Sequence, residues 1–228
     1  MRIKREEAPK FWPLGKKEKP FATYPRPGPH PKDYCLPLLI VIRDVLKIVD
    51  NSKEAKKIIK AGHVKVDQVV RKDHKFPTGL FDVISVDKKH YRVVPTSKGL
   101  ALVEIPVSEA KSKLCKVVGK TILKKGRIQL NLNDGKNILS NKGIPTKTTL
   151  VLSLPEKKIT KEIPMKKGSL AMIIRGKNSG VYGTINDFVE VKGSQSNLVI
   201  LKTKDRELKI PQEYVFVIGE KKPVLKVE

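Results

Sequence analysis

The chain has 228 residues and carries 48 Lys+Arg against 23 Asp+Glu, a formal charge of +25. A surface this basic repels itself and calls for a polyanion, nucleic acid or an anionic membrane; only nine of the 48 cations are arginine, so the excess is mostly lysine point charge, suited to phosphate more than to base edges. Apolar residues make up 39%, enough for a folded core, but no apolar run is longer than Leu38 to Ile42, far short of the roughly 18–20 residues of a bilayer span.

No apolar signal-peptide core follows Met1-Arg2-Ile3-Lys4-Arg5, so a cytosolic protein is expected. Cys35 and Cys115 belong to no CxxC or CxxH pair, which argues against a disulfide scaffold and a structural zinc. Residues 1–34 stand apart. Prolines at 9, 13, 20, 25, 27, 29 and 31 break any helix or ladder, yet Phe11, Trp12, Phe21, Tyr24 and Tyr34 are interleaved with Lys10, Lys16, Lys17, Lys19 and Arg26. A solvated linker gains nothing from five aromatics. The segment reads as an extended arm that orders on a partner, its rings packing or stacking and its lysines meeting phosphates.

Leu38, Leu39, Ile42, Val45, Leu46 and Val49 recur at helical spacing, with Arg43, Asp44 and Lys47 outside the stripe. Asp50-Asn51-Ser52 ends that helix, and Ser52 is expected to cap a second one over Lys53–Ala61, closed by Gly62. In this short helix Ala55, Ile58 and Ile59 share one side, while Lys53, Lys56, Lys57 and Lys60 form a stripe on the other. Four like charges with no acidic partner at i+4 suit phosphate contact better than a free helix. His63, Lys65, Arg71 and Lys72 extend the cationic surface into a hairpin, because Val64 to Val70 alternates.

Beyond Asp73 the pattern is mostly strand. Runs at Val83–Val86, Tyr91–Val94, Leu100–Val107, Lys116–Leu123, Ile128–Leu132, Thr149–Leu154 and Lys158–Ile163 are punctuated by Asp134-Gly135, Lys142-Gly143 and Pro155. From Gly168 come shorter runs, Leu170–Ile174, Gly183–Ile185, Phe188–Val191, Leu198–Lys202, Leu208–Ile210 and Val215–Ile218, spaced as in a small barrel. Between its first strands, Gly176, Gly180 and Gly183 with Arg175, Lys177 and Asn178 make a loop able to clamp an RNA backbone.

The search for chemistry is negative. No Walker A phrase, GxGxxG after a strand, HExxH or GxSxG occurs. His30, His63, His74 and His90 are scattered and read as surface or RNA-facing residues, and nothing marks Asp82 and Asp87 as an acid/base pair. No catalytic residue, metal or cofactor is expected. The membrane alternative fails because the basic helix has no free apolar face to insert.

Ser52-Lys53-Glu54-Ala55 through Val66-Asp67, closing on Phe81-Asp82-Val83-Ile84-Ser85-Val86, resembles the S-four RNA-binding domain. Gly168 to Ile185 resembles a KOW hairpin of SH3-like barrels. Their order, after Ala8-Pro9-Lys10-Phe11-Trp12 and Arg26-Pro27-Gly28-Pro29-His30 and before Tyr214-Val215-Phe216-Val217-Ile218-Gly219, is similar to the archaeal-type S-four-e family of small-subunit ribosomal proteins over essentially the whole chain. Two departures stand out. Gln68 replaces the usual turn glycine and resists positive φ, so a turn other than type I′ is expected. Val181 stands in the glycine loop where a basic residue would suit RNA better.

The resemblance implies an α+β, multidomain chain: an extended basic arm (1–34), a small helix–hairpin RNA-binding domain (35–97), a central β-rich domain (98–167) and a C-terminal SH3-like KOW barrel (168–228). It implies a non-enzymatic constituent of the small ribosomal subunit, in the cytoplasm. The implied partners are small-subunit rRNA and neighbouring ribosomal proteins, with no membrane, small-molecule substrate or homo-oligomer. The expected RNA-binding residues are Lys10, Trp12, Lys16, Lys17, Lys19, Arg26, Arg43, Lys53, Lys56, Lys57, Lys60, His63, Lys65, Arg71, Lys72, Arg175, Lys177 and Asn178. An RNA-modifying enzyme of the pseudouridine synthase kind and a KOW-containing elongation factor are the alternatives.

Overall fold

The computed structural model describes residues 2–15, 18, 20–193, 195–203 and 206–226. The fold is mixed, mostly β with few helices. Strands β1 (Arg2–Lys4) and β2 (Phe21–Thr23) pair antiparallel. Strand β3 (Cys35–Pro37) leads into α1 (Leu38–Ile40), which widens into a π-helical turn over Val41–Val45, and then comes α2 (Ser52–Ala61). Next are β4 (Val64–Val66), β5 (Val69–Val70), β6 (Pro77–Gly79), β7 (Val83–Val86), β8 (Lys89–Thr96) and β9 (Gly99–Ile105). β6 pairs with β3, and the others form an antiparallel sheet in the order β5-β4-β7-β8-β9.

The middle of the chain supplies β10 (Ser112–Ile122), β11 (Ile128–Leu132), β12 (Asn137–Ser140), β13 (Thr149–Ser153) and β14 (Ile159–Ile163), ordered β12-β11-β10-β13-β14. Strand β10 is shared: its first half pairs with β13 and its second with β11, across a bulge between Val117 and Gly119. The third sheet holds β15 (Leu170–Ile173), β16 (Tyr182–Val189), β17 (Leu198–Lys202), β18 (Glu207–Pro211) and β19 (Val215–Gly219), ordered β18-β17-β16-β15-β19.

Three larger buried clusters organise these sheets, beside a small fourth of Val83, Ile105, Ala110 and Leu154. One joins Ile3, Trp12 and Ala22 to Leu36–Ile42, to Ala55 and Ile59 of α2, and to Val64, Val66, Ile84 and Val93. A second lies within the middle sheet around Cys115, Val117, Leu130 and Leu150. The third belongs mainly to the last sheet but also takes in Phe81, Val94, Leu114, Val151 and Ile163, so the C-terminal core is completed by residues of both earlier sheets. Lys116 adds a polar joint, its Nζ donating to the carbonyl oxygen of Val215 at 2.8 Å.

A second joint is a buried ion cluster. The Lys113 ammonium meets the carboxylates of Asp67 (2.8 Å), Asp134 (3.1 Å) and Asp82. Lys136 bridges Asp67 and Asp134, and Nε2 of His30 lies 3.1 Å from both oxygens of Asp82. The cluster thus ties the N-terminal segment, the first sheet and the middle sheet. The far end of the chain also returns: Arg92 on β8 donates to the Lys226 carbonyl at 2.9 Å, and the Lys226 amide donates to Glu109, which itself pairs with Arg92.

Several sequence expectations change. The described part of the arm is packed, with its own two strands, because its aromatic and apolar residues find core partners. His30 is buried against Asp82 and is no surface residue. A domain boundary at 98 falls inside a hairpin: β9 pairs along its whole length with β8, from Thr96↔Gly99 to His90↔Ile105. The first helix stops at Val45, since Lys47 takes a φ of +50° that no right-handed helix accommodates. Asn51 occupies the N-cap position of α2 while the Ser52 hydroxyl accepts from Arg43. Gly183–Ile185 and the first part of Phe188–Val191 join as the single strand β16, which ends at Val189 and whose bulge between Ile185 and Asp187 shifts the alternation.

The hairpin tip overturns the turn expectation most directly. Asp67 (φ +52°) and Gln68 (φ +63°) are both left-handed, as a type I′ turn requires. Contacts hold them there. Gln68 Nε2 donates to the Ala110 carbonyl at 3.1 Å, and the Asp67 carboxylate accepts from the Val83 amide as well as from both lysines.

Candidate nucleic-acid interface

Helix α2 forms where the sequence predicts it, ending on Gly62 in the left-handed conformation (φ +91°). Ala55 and Ile59 are buried beneath it, whereas Lys53, Lys57 and Lys60 are exposed and Lys56 half-buried. Among the described residues none of these four lysines takes part in an ion pair. The stripe is therefore uncompensated inside the protein.

Strand β4 continues this surface. Val64 and Val66 point into the core and Lys65 points out. His63 is exposed, 3.5 Å from Asp87. Lys72 lies at the end of α2, where its Cε would touch a side chain placed on Gly62. Arg71 is half-buried, its guanidinium 4.5 Å from the centre of the Phe76 ring.

A groove of about 950 Å³ runs along the N-terminal half of α2. Asn51, Lys53 and Lys56 line it together with the carboxylates of Asp50 and Glu54, as do Phe21 and Thr23 of β2 and His74 and Lys75. Burial and the charge of Lys56, reinforced by Lys75 and Lys60 against the opposing Asp73, hold the His74 imidazole below its usual value. His74 therefore behaves as a neutral polar group among cations. Phe21, Thr23, His74 and Lys75 are site members that sequence reasoning missed. No local period could have found them, because β2 and α2 are separated in the chain by β3, α1 and the π-helical turn and meet only in the fold.

Other expected contacts stand elsewhere or are already engaged. Lys16, Lys17 and Lys19 lie outside the described residues. Trp12 is 4% exposed and donates its indole N–H to the Cys35 carbonyl at 2.9 Å, so its ring serves the core and offers no face to RNA. Arg43 spends its guanidinium on Asp44 and Ser52, and Arg26 pairs with Asp73. Lys10 is exposed, away from the α2 groove. Arg175, Lys177 and Asn178 sit on the glycine loop after β15, with Arg175 against Tyr34 and Asn178 accepting from Arg206. No helix among the described residues is long and apolar enough to cross a membrane.

Fold and surface together define a lysine-rich, mainly β protein whose ten-residue helix turns its charge outward. Residues 87–159 match the ribosomal family S4e, and residues 2–33 match the RS4NT domain. The chain is 39% identical to small ribosomal subunit protein eS4 of Methanocella arvoryzae, over 98% of this chain and 96% of the relative. It is 42% identical to the protein of that name from Methanocaldococcus jannaschii, over 99% and 96% respectively. The crystal structure of 30S ribosomal protein S4e from Thermoplasma acidophilum superposes with a TM-score of 0.73 at 35% identity, covering 83% of this chain and 97% of that one. The chain belongs to the ribosomal S4e family.

Proposed function

We propose that this chain is a structural constituent of the small ribosomal subunit, binding rRNA electrostatically and taking part in translation within the cytoplasm. The observation that carries the mechanism is the uncompensated stripe of Lys53, Lys56, Lys57 and Lys60 beside the α2 groove. Lysines so placed neutralise backbone phosphates and release their counterions. Lys65, Lys72 and His63 extend the same contact, and Lys10, Lys177 and Asn178 supply separate ones. Neighbouring ribosomal proteins are the other partners.

In this reading residues 35–105 form the S-four-type RNA-binding domain, with β8–β9 included. The N-terminal segment straps onto it, the middle sheet is a spacer, and 168–226 form an SH3-like KOW barrel. The topology β5-β4-β7 behind α2 and the glycine loop between β15 and β16 support those assignments. Relatives matched over nearly the whole chain carry ribosomal names, and none of the three favours a modifying enzyme or an elongation factor.

The test is binding of the full chain to small-subunit rRNA as salt is varied. Changing Lys53, Lys56, Lys57 and Lys60 to Ala lowers the slope of log K against log salt by about 0.7–0.9 for each phosphate no longer neutralised. An unchanged slope would show a merely solvated stripe. Retention on small subunits through a high-salt wash tests the ribosomal role itself.

A further inference from the structure

A second groove, about 610 Å³, opens where the N-terminal segment, the first sheet, the middle sheet and the glycine loop meet. We propose that it receives a single unpaired nucleotide of the bound RNA, the base stacking against its aromatic wall and Arg175 holding a base edge or the phosphate. This inference rests on the rRNA-binding reading above and gives it a specific pocket.

Arg175 carries the argument. Its guanidinium carbon lies 3.4 Å from the centre of the Tyr34 ring and 5.7 Å from that of Tyr214. Among the described residues no hydrogen bond or ion pair uses its N–H groups, whereas Arg43 is spent on Asp44 and Arg92 on Glu109 and three carbonyls. Two rings thus flank a cation whose donors remain available among the described residues. Such a fork, already oriented, suits a base edge or a phosphate, since little rotamer freedom is left to lose on binding.

The lining matches a nucleotide in its other parts. Tyr34, 38% exposed beside the guanidinium, and Phe11 both line the groove. Lys10 and Lys98 add positive charge against one lining carboxylate, Asp33. Ser179 and Asn133 offer hydrogen-bonding groups. A volume of this size falls in the range of roughly 300–1,000 Å³ typical of pockets for small ligands. Base–aromatic stacking with a cationic rim is the chemistry by which unpaired nucleotides are held.

The walls are held by close backbone approaches. A Cβ on Gly180 (φ +87°) would stand 2.8 Å from the Thr96 Cα, and one on Gly99 (φ +130°) would collide with the Phe11 carbonyl oxygen. Glycine at both positions lets the loop and the N-terminal segment seat on the β8–β9 turn. The groove is thereby shaped by the backbone and needs no side-chain rearrangement to exist.

The experiment compares full-length wild type, Tyr34→Ala, Tyr34→Phe and Arg175→Lys for binding to small-subunit rRNA, with photo-crosslinking of the wild-type complex. Tyr34→Ala weakens binding roughly five- to hundredfold, the worth of one stacked base, and leaves the salt slope unchanged. Tyr34→Phe retains the affinity, while Arg175→Lys lowers it, because an ammonium lacks the planar fork. The wild-type crosslink joins Tyr34 or Phe11 to an unpaired nucleotide. Wild-type affinity in Tyr34→Ala and Arg175→Lys, or crosslinks from this groove only to another protein, would overturn the proposal while leaving rRNA binding intact. If wild type itself fails to bind rRNA, the underlying reading falls instead. Should Tyr34→Ala fail to fold, the Arg175→Lys affinity and the wild-type crosslink still decide.

Discussion

Lys113 occupies a site with almost no solvent, yet it stays charged because three carboxylates surround it. Burial alone would lower its affinity for a proton; Asp82, Asp67 and Asp134 more than reverse that and raise it well above the usual lysine value. Burial would likewise push Asp82 up, but the charges of His30 and Lys113 and their hydrogen bonds hold it well below the carboxylate range. The same balance, struck by Lys113 and Lys136, holds Asp134 down. Breaking such a cluster by removing one partner leaves uncompensated buried charge. Lys113→Met is therefore expected to destabilise the protein by about 3–5 kcal/mol in urea unfolding. The pH dependence has a definite sign. Stability from the depressed carboxylates is complete above their unfolded value, about 4, and is lost as pH falls below it, by up to about 1.4 kcal/mol per pH unit for each. Thermal melts from pH 7 to 2 should show this acid limb, and Asp134→Asn should make it shallower. Cys35, pushed up to about 12 by burial and then by Asp33 and Asp82, takes no part in thiolate chemistry while the fold is intact.

Elements fixed by local pattern were legible in the sequence. The division of α2 between Ala55 and Ile59 on one side and four lysines on the other follows from spacing alone, and its end at Gly62 follows from backbone chemistry. Strands β7, β11 and β17 fall where alternation and turn residues predict them. Elements fixed by distant contacts were not legible. The pair β3–β6 ends in Pro37 opposite Pro77, residues that argue against strand unless the ladder is short and two-stranded. The turn at Asp67-Gln68 gave a misleading local signal because its strain is overruled by Ala110, Lys113 and Lys136, all more than forty residues away. The N-terminal segment behaves likewise, since nothing in its own sequence says that Trp12 reaches Cys35. Trp12→Ala should cost about 3–5 kcal/mol by emptying that site. Limited proteolysis should then cut within the first 34 residues at rates the wild type resists.

At the scale of the molecule, an excess of 25 positive charges is distributed unequally between interior and surface. Lys113, Arg92 and Lys116 are buried and their donors are taken up by carboxylates or carbonyls, so they offer no group to a polyanion at the surface. The lysines of α2 remain outside and unmatched. Composition disclosed the magnitude of the charge, while only the fold separates structural cations from those free to meet RNA. The α2 surface was legible because one helix carries it. The groove at Arg175 was not, because four separated segments converge there, and its arginine stood out only as a charge near glycines.

The return of Lys226 to Arg92 has a consequence in time as well as in space. A ribosome releases this chain from its N-terminus, so the first sheet emerges with Arg92 still lacking a carbonyl that lies 134 residues downstream. That hydrogen bond, and the Lys226 amide bond to Glu109, can form only after Lys226 itself has emerged. A chain shortened after Leu225, which keeps that core side chain, should therefore be less stable by the roughly 2–3 kcal/mol expected for hydrogen bonds to charged groups, while keeping its sheets. Lys226 thus acts as a late fastening of residues folded earlier, and a chain that has not yet reached it differs from one that has in the state of a single buried guanidinium.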